Sequence, residues 1–154
     1  MNKQYSNLRK ELEAGRPIIT FTTGVSMEPL LHDKRKKNAT SVLVVPVNSP
    51  LSVGDMPLVQ IKEDTYMIHR VIEVREEDGQ VAYVTRGDNC IGCEQVKASQ
   101  VLGIVTEIYE GDKKICVTDK KYLRYVKRRM RNYPFRVIWW RVRRLVSIIK
   151  RILL

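Results

Sequence analysis

The pattern of hydrophobic and polar positions divides the chain into a β-rich front and a helical end. In the front, short runs of β-branched and aromatic residues alternate with Gly, Asp, Asn and Pro. Such runs are typical of strands joined by tight turns. The strands that this pattern predicts cover 18–23, 42–47, 57–61, 66–74, 81–85 and 101–109. We therefore predict a mainly β domain with a compact, mostly antiparallel sheet.

Helices are predicted before the first of these strands in the sequence and after the last. Residues 3–14 predict a short helix that ends at Gly15. Near the other end, Asp119 can cap a basic helix that runs to about Asn132, and Pro134 suits the first turn of a second helix. The predicted organisation is an N-terminal helical segment at 1–17, a β-rich domain at 18–112 and a basic helical tail at 113–154.

The charge of the chain is concentrated in that tail. The formal charge is +11, and residues 113–154 hold 15 of the 28 Lys and Arg but only one of the 17 acidic residues. The remaining residues are mildly acidic in sum. An anionic partner, either a membrane surface or a nucleic acid, is therefore expected to meet the tail.

Residues 134–154 have the pattern of an amphipathic helix. Apolar residues recur at three- and four-residue spacing, with Trp139 beside them and five Arg or Lys on the other side. This predicts a helix lying on an anionic bilayer. The alternative is a helix packed on the domain's own sheet. The pattern does not favour a nucleic-acid partner, because the aromatic residues sit with the aliphatic ones instead of among the basic ones. The apolar positions are Phe135, Ile138, Val142, Leu145, Ile149 and Ile152.

The location predicted from the sequence is cytoplasmic, peripheral on the inner face of the membrane. No stretch approaches the roughly 20 apolar residues of a membrane-spanning helix. Residues 1–16 are polar and mixed in charge, unlike a secretory signal or membrane anchor.

Three cysteines leave little basis for a disulfide framework or a metal centre. Cys90 and Cys93 form a C-x-x-C spacing, and Cys116 lies farther along. Disulfides are rare in the cytosol, and a zinc site needs about four ligands. We therefore expect free thiols, no metal and no cofactor.

Ser26 stands in a turn that suits a nucleophile. It follows the first predicted strand, between Gly24 and Pro29. In a sharp turn whose backbone strain is relieved by a glycine, a serine can expose its hydroxyl while backbone N–H groups point at a substrate carbonyl oxygen. The alternative on this segment alone is an ordinary turn serine.

A predicted hairpin supplies a candidate base and acid. Asp78-Gly79 between two strand-like runs is a strong signal for a two-residue turn. The resulting register places His69 directly opposite Asp88, whose carboxylate could fix the imidazole tautomer. A slip of one residue would send the two side chains to opposite faces. His32 is the rival base, in a charged stretch that we expect to be solvated.

These segments, in this order, resemble the motifs of the signal peptidase I/LexA superfamily. The segment at 24–29, GVSMEP, resembles the nucleophile box, and Gly54-Asp55 resembles the next motif. The segment at 66–72 resembles the base-bearing strand of the archaeal and endoplasmic-reticulum branch, in which histidine replaces lysine. The segment at 85–89, TRGDN, is similar to the box that contributes an acid, and 101–105 resembles the closing strand.

The resemblance implies a β-rich peptidase fold and a role for each matching residue. Ser26 would be the nucleophile, His69 the general base and Asp88 the orienting acid, with Glu94 as a possible second acid. The backbone N–H groups of Ser26 and Gly24 would bind the oxyanion. Unlike most signal peptidases, this chain shows no N-terminal membrane-spanning helix.

The sequence therefore favours a serine endopeptidase that cleaves a peptide or precursor segment at the membrane surface. Two other classes stay open. One is a peptide-binding module of the same fold that does not cut. The other is a regulatory protein whose tail binds a membrane or a nucleic acid.

Overall fold

The computed structural model describes residues 5–77 and 79–153, and the side chains of 8–77 and 79–146. Asp78 of the predicted turn and residues 3 and 4 of the predicted first helix lie outside the described residues. The fold is mainly β with C-terminal helices, as predicted. The helices are α1 (Tyr5–Glu13), α2 (Lys120–Arg131) and α3 (Tyr133–Leu153). The strands are β1 (Ile18–Phe21), β2 (Thr40–Pro46), β3 (Pro57–Lys62), β4 (Thr65–Ile68), β5 (Arg70–Glu77), β6 (Gln80–Arg86), β7 (Glu94–Lys97), β8 (Val101–Glu110) and β9 (Lys113–Cys116).

The larger sheet curls into a half-barrel around the main hydrophobic core. Its strands run in the order β1-β2-β8-β3-β4, every neighbouring pair is antiparallel, and β9 pairs with β8. The alternation along β2 turns Thr40, Val42 and Val44 into the core, as a half-buried strand requires. Leu12 of α1 packs against the same cluster. Strands β1 and β4 therefore form the two edges of the curled sheet.

The run at 66–74, which the sequence predicts as one strand, is divided between two sheets. Ile68 pairs with Leu58 in the larger sheet, whereas Arg70 pairs with Arg86 in the smaller sheet of β5, β6 and β7. His69 lies at the junction. Two residues later, Val71 exchanges two 2.8 Å backbone hydrogen bonds with the turn at Gly54-Asp55.

The hairpin of β5 and β6 begins in the predicted register and then shifts by one residue. From the turn, Glu77 pairs with Gln80 and Glu73 with Val84, as predicted. Beyond them Val71 pairs with Thr85, so Ile72 is an extra residue in a β-bulge. The register that would place His69 opposite Asp88 is therefore wrong at the end of the hairpin that matters.

The C-terminal helices have the predicted boundaries but differ in how they pack. Asp119 and Asn132 flank α2, and Pro134 lies in the first turn of α3. Tyr122 and Val126 of α2 are buried in the main core. Residues 113–132, assigned to the tail by the sequence, thus pack as part of the domain. Within the described residues, no helix is long and apolar enough to cross a membrane.

Candidate functional site

The loop that carries Ser26 is held by a buried carboxylate. Asp33, only 3% exposed, accepts a 2.7 Å hydrogen bond from the Gly24 N–H. Gly24 has φ +86, a conformation that glycine adopts without strain. The hydrogen-bonded Arg35 guanidinium, aided by the N–H groups of Arg35 and Gly24, holds the pKa of Asp33 far below its usual range. The turn is thereby fixed by a charged acceptor.

This arrangement changes the expected oxyanion donors. Because the Gly24 N–H already donates to Asp33, it is not free to bind a substrate oxygen, and the prediction that it does so is wrong for this conformation. The N–H of Ser26 donates to no group among the described residues. It is the one predicted donor that stays available.

Backbone and side-chain hydrogen bonds join the Ser26 loop to the turn after β6. The Asn89 N–H donates to the Ser26 carbonyl oxygen at 2.7 Å, and its side-chain amide donates to the Val25 carbonyl oxygen at 3.2 Å. The Asp88 N–H meets the Met27 sulfur at 3.4 Å. The serine is therefore positioned by residues 87–90 as well as by its own turn.

Gly87 lies beside both His69 and the backbone of Ser26. A Cβ atom at Gly87 would lie 2.6 Å from the Ser26 carbonyl oxygen and 3.1 Å from the His69 Nε2 atom. The absence of a side chain there lets both residues approach. The His69 side chain is 7% exposed, so its orientation is set by protein contacts.

The carboxylate that contacts His69 belongs to Glu94. Its Oε2 atom lies 3.0 Å from His69 Nδ1, at the ring nitrogen opposite the one near Gly87. Glu94 begins β7, where it pairs with Thr85 of β6. The sequence interpretation did not predict β7, although buried Val96 between polar neighbours is the alternation of a half-buried strand. The weaker of the two acidic candidates is thus the one next to the histidine.

Asp88 binds the neighbouring Arg70 instead. Its two oxygens accept hydrogen bonds of 2.8 and 2.7 Å from the Arg70 guanidinium, and one also accepts from the Tyr125 hydroxyl at 3.0 Å. Burial alone lowers the pKa of Arg70, but the bond to Asp88 raises it above its ordinary value. The bulge at Ile72 is the cause, because it moves His69 out of line with Asp88. The predicted contact between His69 and Asp88 is therefore wrong.

His32 is half-buried, so the expectation that it is solvated is wrong. Its Nδ1 atom has no hydrogen-bond partner among the described residues and lies 3.8 Å from a Glu28 carboxylate oxygen. Glu28 also forms an ion pair with Lys36. These contacts place His32 in the structural part of the Ser26 loop.

A cleft of about 150 Å³ opens beside Ser26. Both edge strands line it, through residues such as Phe21 of β1 and Met67 of β4, and Leu8 of α1 contributes as well. Apolar and polar groups share its wall. An extended ligand in this cleft would lie between two sheet edges and pass the serine.

Helix α2 and the start of α3 support the turn at 87–91 from behind. The Arg129 guanidinium donates to the carbonyl oxygens of Asp88, at 2.7 Å, and Glu28, at 3.2 Å. The Tyr133 hydroxyl donates to the Ile91 carbonyl oxygen at 2.5 Å. The basic helices therefore bind both loops of the site.

The three cysteines are free thiols. Burial, and then the nearby Glu94 carboxylate, raise the pKa of Cys90, whose sulfur lies 4.0 Å from the Ser26 carbonyl oxygen. Among the described side chains, no group of three or more His, Cys, Asp or Glu could hold a metal ion. Ser26, His69 and Glu94 bring a hydroxyl, an imidazole and a carboxylate to this site.

Comparison with known proteins gives this chain no family. No protein-family model matches it, and a search of curated proteins found no significant match.

Proposed function

We propose that this protein is a serine endopeptidase with a signal peptidase/LexA-like fold, in which Ser26 is the nucleophile, His69 the general base and Glu94 the orienting carboxylate. The observation that carries the proposal is the geometry of His69. One ring nitrogen lies at a carboxylate and the other at the glycine over which Ser26 also packs. Buried imidazoles held in this way are common to serine hydrolases on unrelated folds.

The mechanism follows from the tautomer that Glu94 favours. A carboxylate at Nδ1 accepts a proton from that nitrogen, which leaves Nε2 as the acceptor. His69 Nε2 would take the proton of the Ser26 hydroxyl as its oxygen attacks the peptide carbonyl, and later give it to the leaving amine. The free N–H of Ser26 would donate to the oxyanion.

The two edge strands suit a peptide substrate. β1 and β4 both line the cleft, and their outer backbone groups can pair with an added strand. Side chains of such a strand would alternate between the cleft and solvent. The substrate would therefore be an unfolded segment, since a folded one could not extend along the edges.

Labelling with a fluorophosphonate probe tests the nucleophile directly. The folded protein should form one covalent adduct, mapped to Ser26 by mass spectrometry. Ser26→Ala should abolish it and lower peptide cleavage by about 10³-fold or more. Ser52→Ala is the matched control, because Ser52 is exposed in another turn, and it should label like the parent. Equal turnover by folded Ser26→Ala protein would exclude this mechanism.

A non-cleaving peptide-binding module is the second candidate. It is favoured by one observation: within the described residues, the Ser26 hydroxyl makes no hydrogen bond to His69. Catalytic contacts often tighten only when substrate binds, so the observation does not oppose the first proposal. Peptide binding with neither labelling nor cleavage would establish the second candidate.

A further inference from the structure

Helix α3 presents its apolar face to solvent. We define this face by six residues, each 45–70% exposed: Phe135, Ile138, Trp139, Val142, Leu145 and Val146. At 100° per residue they share one side of the helix. Ile149 and Ile152, which the sequence places on the same side, are beyond the described side chains. Large apolar groups gathered in this way are typical of an interaction surface.

The helix contacts the domain through its opposite side. Tyr133, Arg136 and Val137 are half-buried, whereas Phe135 between them is 70% exposed. Tyr133 binds the Ile91 carbonyl oxygen and stacks under the Arg86 guanidinium, which lies 3.2 Å from the ring centroid. A surface helix ordinarily turns its apolar face to the core. Here that face points away, so packing on the domain's own sheet, the alternative left open by the sequence, does not account for it.

The charge around this face selects an anionic partner. Helix α3 carries six Lys or Arg and no acidic residue, and α2 carries seven more. None of those described is in an ion pair with a described carboxylate. A second copy of the helix would bring like charges together, whereas anionic lipid headgroups would neutralise them.

We propose that α3 docks this protein on an anionic bilayer, lying in the interfacial plane with its apolar face in the acyl region. Its 21 residues would cover about 30 Å of surface. The exposed tryptophan on this face suits the headgroup boundary, and the arginines beside it suit the phosphates.

Docking would also orient the candidate active site. The first turn of α3 is bonded to the 87–91 turn, which contacts Ser26, so the cleft is carried at a fixed angle to the helix. This part rests on the proposed function. The docking itself does not, and it can be measured on inactive Ser26→Ala protein.

The two tryptophans make docking directly observable. Trp139 and Trp140 are the only tryptophans in the chain, and as consecutive helical residues they project about 100° apart around α3. Trp139 belongs to the apolar face, whereas Trp140 lies 5.5 Å from the Arg144 guanidinium. Each can therefore report separately on its own side of the helix.

We would record tryptophan emission of full-length W140F and W139F proteins with anionic phosphatidylglycerol vesicles and neutral phosphatidylcholine vesicles. The W140F protein, which reports Trp139, should shift to the blue on anionic vesicles and be quenched by brominated acyl chains. The W139F protein should show a smaller shift and weaker quenching. No shift of Trp139 on anionic vesicles, or equal quenching of both tryptophans, would overturn the proposal.

Flotation of paired variants completes the test. Trp139→Ser should weaken binding to anionic vesicles by about tenfold, since it removes one large apolar group from the lipid. Trp140→Ser is the matched control and should change binding by less than about twofold. Equal losses would contradict docking through the apolar face. If the protein formed concentration-dependent dimers that bury Trp139 in the absence of lipid, the partner of the apolar face would be a second copy of this chain and not a bilayer.

Discussion

Glu94 contacts His69 and Asp88 binds the next residue, Arg70, but the two carboxylates differ in burial. The Asp88 side chain is 3% exposed and paired with a guanidinium that is 1% exposed, whereas the Glu94 side chain is 43% exposed. Breaking a buried ion pair leaves an uncompensated charge, while a half-exposed pair contributes little to stability. Substitution of Asp88 should therefore change mainly the free energy of unfolding, and substitution of Glu94 mainly the activity.

Glu94→Gln should reduce turnover without unfolding the protein. The amide can donate to His69 Nδ1 and so favour the wrong tautomer, and the expected loss in kcat is about 10²- to 10⁴-fold. The free energy of unfolding should change by less than about 0.5 kcal/mol. Peptide cleavage and urea unfolding of the same preparation measure the two quantities.

Asp88→Asn is the matched comparison and should act mainly on stability. Leaving Arg70 buried without its carboxylate should lower the free energy of unfolding by about 3–5 kcal/mol. If Asp88→Asn protein proved as stable as the parent and Glu94→Gln protein kept full activity, Asp88 would regain the role that the sequence predicts for it.

Gly87 matters because of the space beside it. Neither Gly87 nor Gly92, which lies between the same two strands, has a left-handed φ, but a Cβ at Gly87 would meet the Ser26 carbonyl oxygen at 2.6 Å and one at Gly92 would meet nothing within 4 Å. Gly87→Ala should destabilise the fold by about 1–3 kcal/mol and slow labelling of Ser26. Gly92→Ala should leave the labelling rate as it is. Equal rates for both variants would mean that the site tolerates a shift of the serine loop.

At the scale of elements, a single bulge determines which acid faces His69. The hairpin turn fixes the register of β5 and β6 near Glu77, and Ile72 changes it before His69 is reached. A one-residue shift exchanges the two faces of a strand. As a result, Arg70 binds Asp88, and His69 contacts Glu94 of β7.

Arg129 links α2 to both loops of the site, so its loss should affect more than the helix. Arg129→Ala leaves two half-buried carbonyl oxygens without their charged donor and should lower the free energy of unfolding by about 1–3 kcal/mol. It should also slow fluorophosphonate labelling. Arg128→Ala is the control, because Arg128 is exposed, and it should stay within about 0.5 kcal/mol of the parent. Equal effects of the two substitutions would make the contacts of Arg129 unimportant.

At the scale of the whole molecule, the basic end consists of two parts with different relations to the core. Tyr122 and Val126 of α2 are buried in the same cluster as Val42 and Val44, whereas the described residues of α3 from Ile138 onward are exposed. Packing on the core therefore extends into the segment that the sequence assigns to the tail, as far as about residue 133.

Truncation after Tyr133 should leave the fold and the site intact. It keeps the bond to Ile91 and removes side chains that, as far as they are described, cover little of the core. The free energy of unfolding should change by less than about 1 kcal/mol. Truncation after Asp119 should unfold the protein, since each buried side chain of α2 contributes about 1.5–3 kcal/mol. Urea unfolding of both chains checks the boundary, and unfolding by the shorter deletion would contradict it.

The sequence by itself determined the elements whose signals are local. Runs of β-branched and aromatic residues indicated seven of the strands, at least in part, with β4 and β5 inside one run, and Asp119, Asn132 and Pro134 stand at the helix ends that they predicted. The Ser26 turn was also evident, since Gly24 permits a left-handed φ and Pro29 fixes its own φ. The apolar face of α3 followed from spacing alone.

Only the tertiary structure decided which residues meet. The division of 66–74 at His69 depends on backbone bonds between Val71 and the distant turn at Gly54, and the bulge depends on how two sheets join there. Neither leaves a local signal, because an apolar run fits one long strand or two short ones equally well. The choice of Glu94 over Asp88, and the direction in which α3 turns its apolar face, are likewise products of packing between parts far apart in the chain.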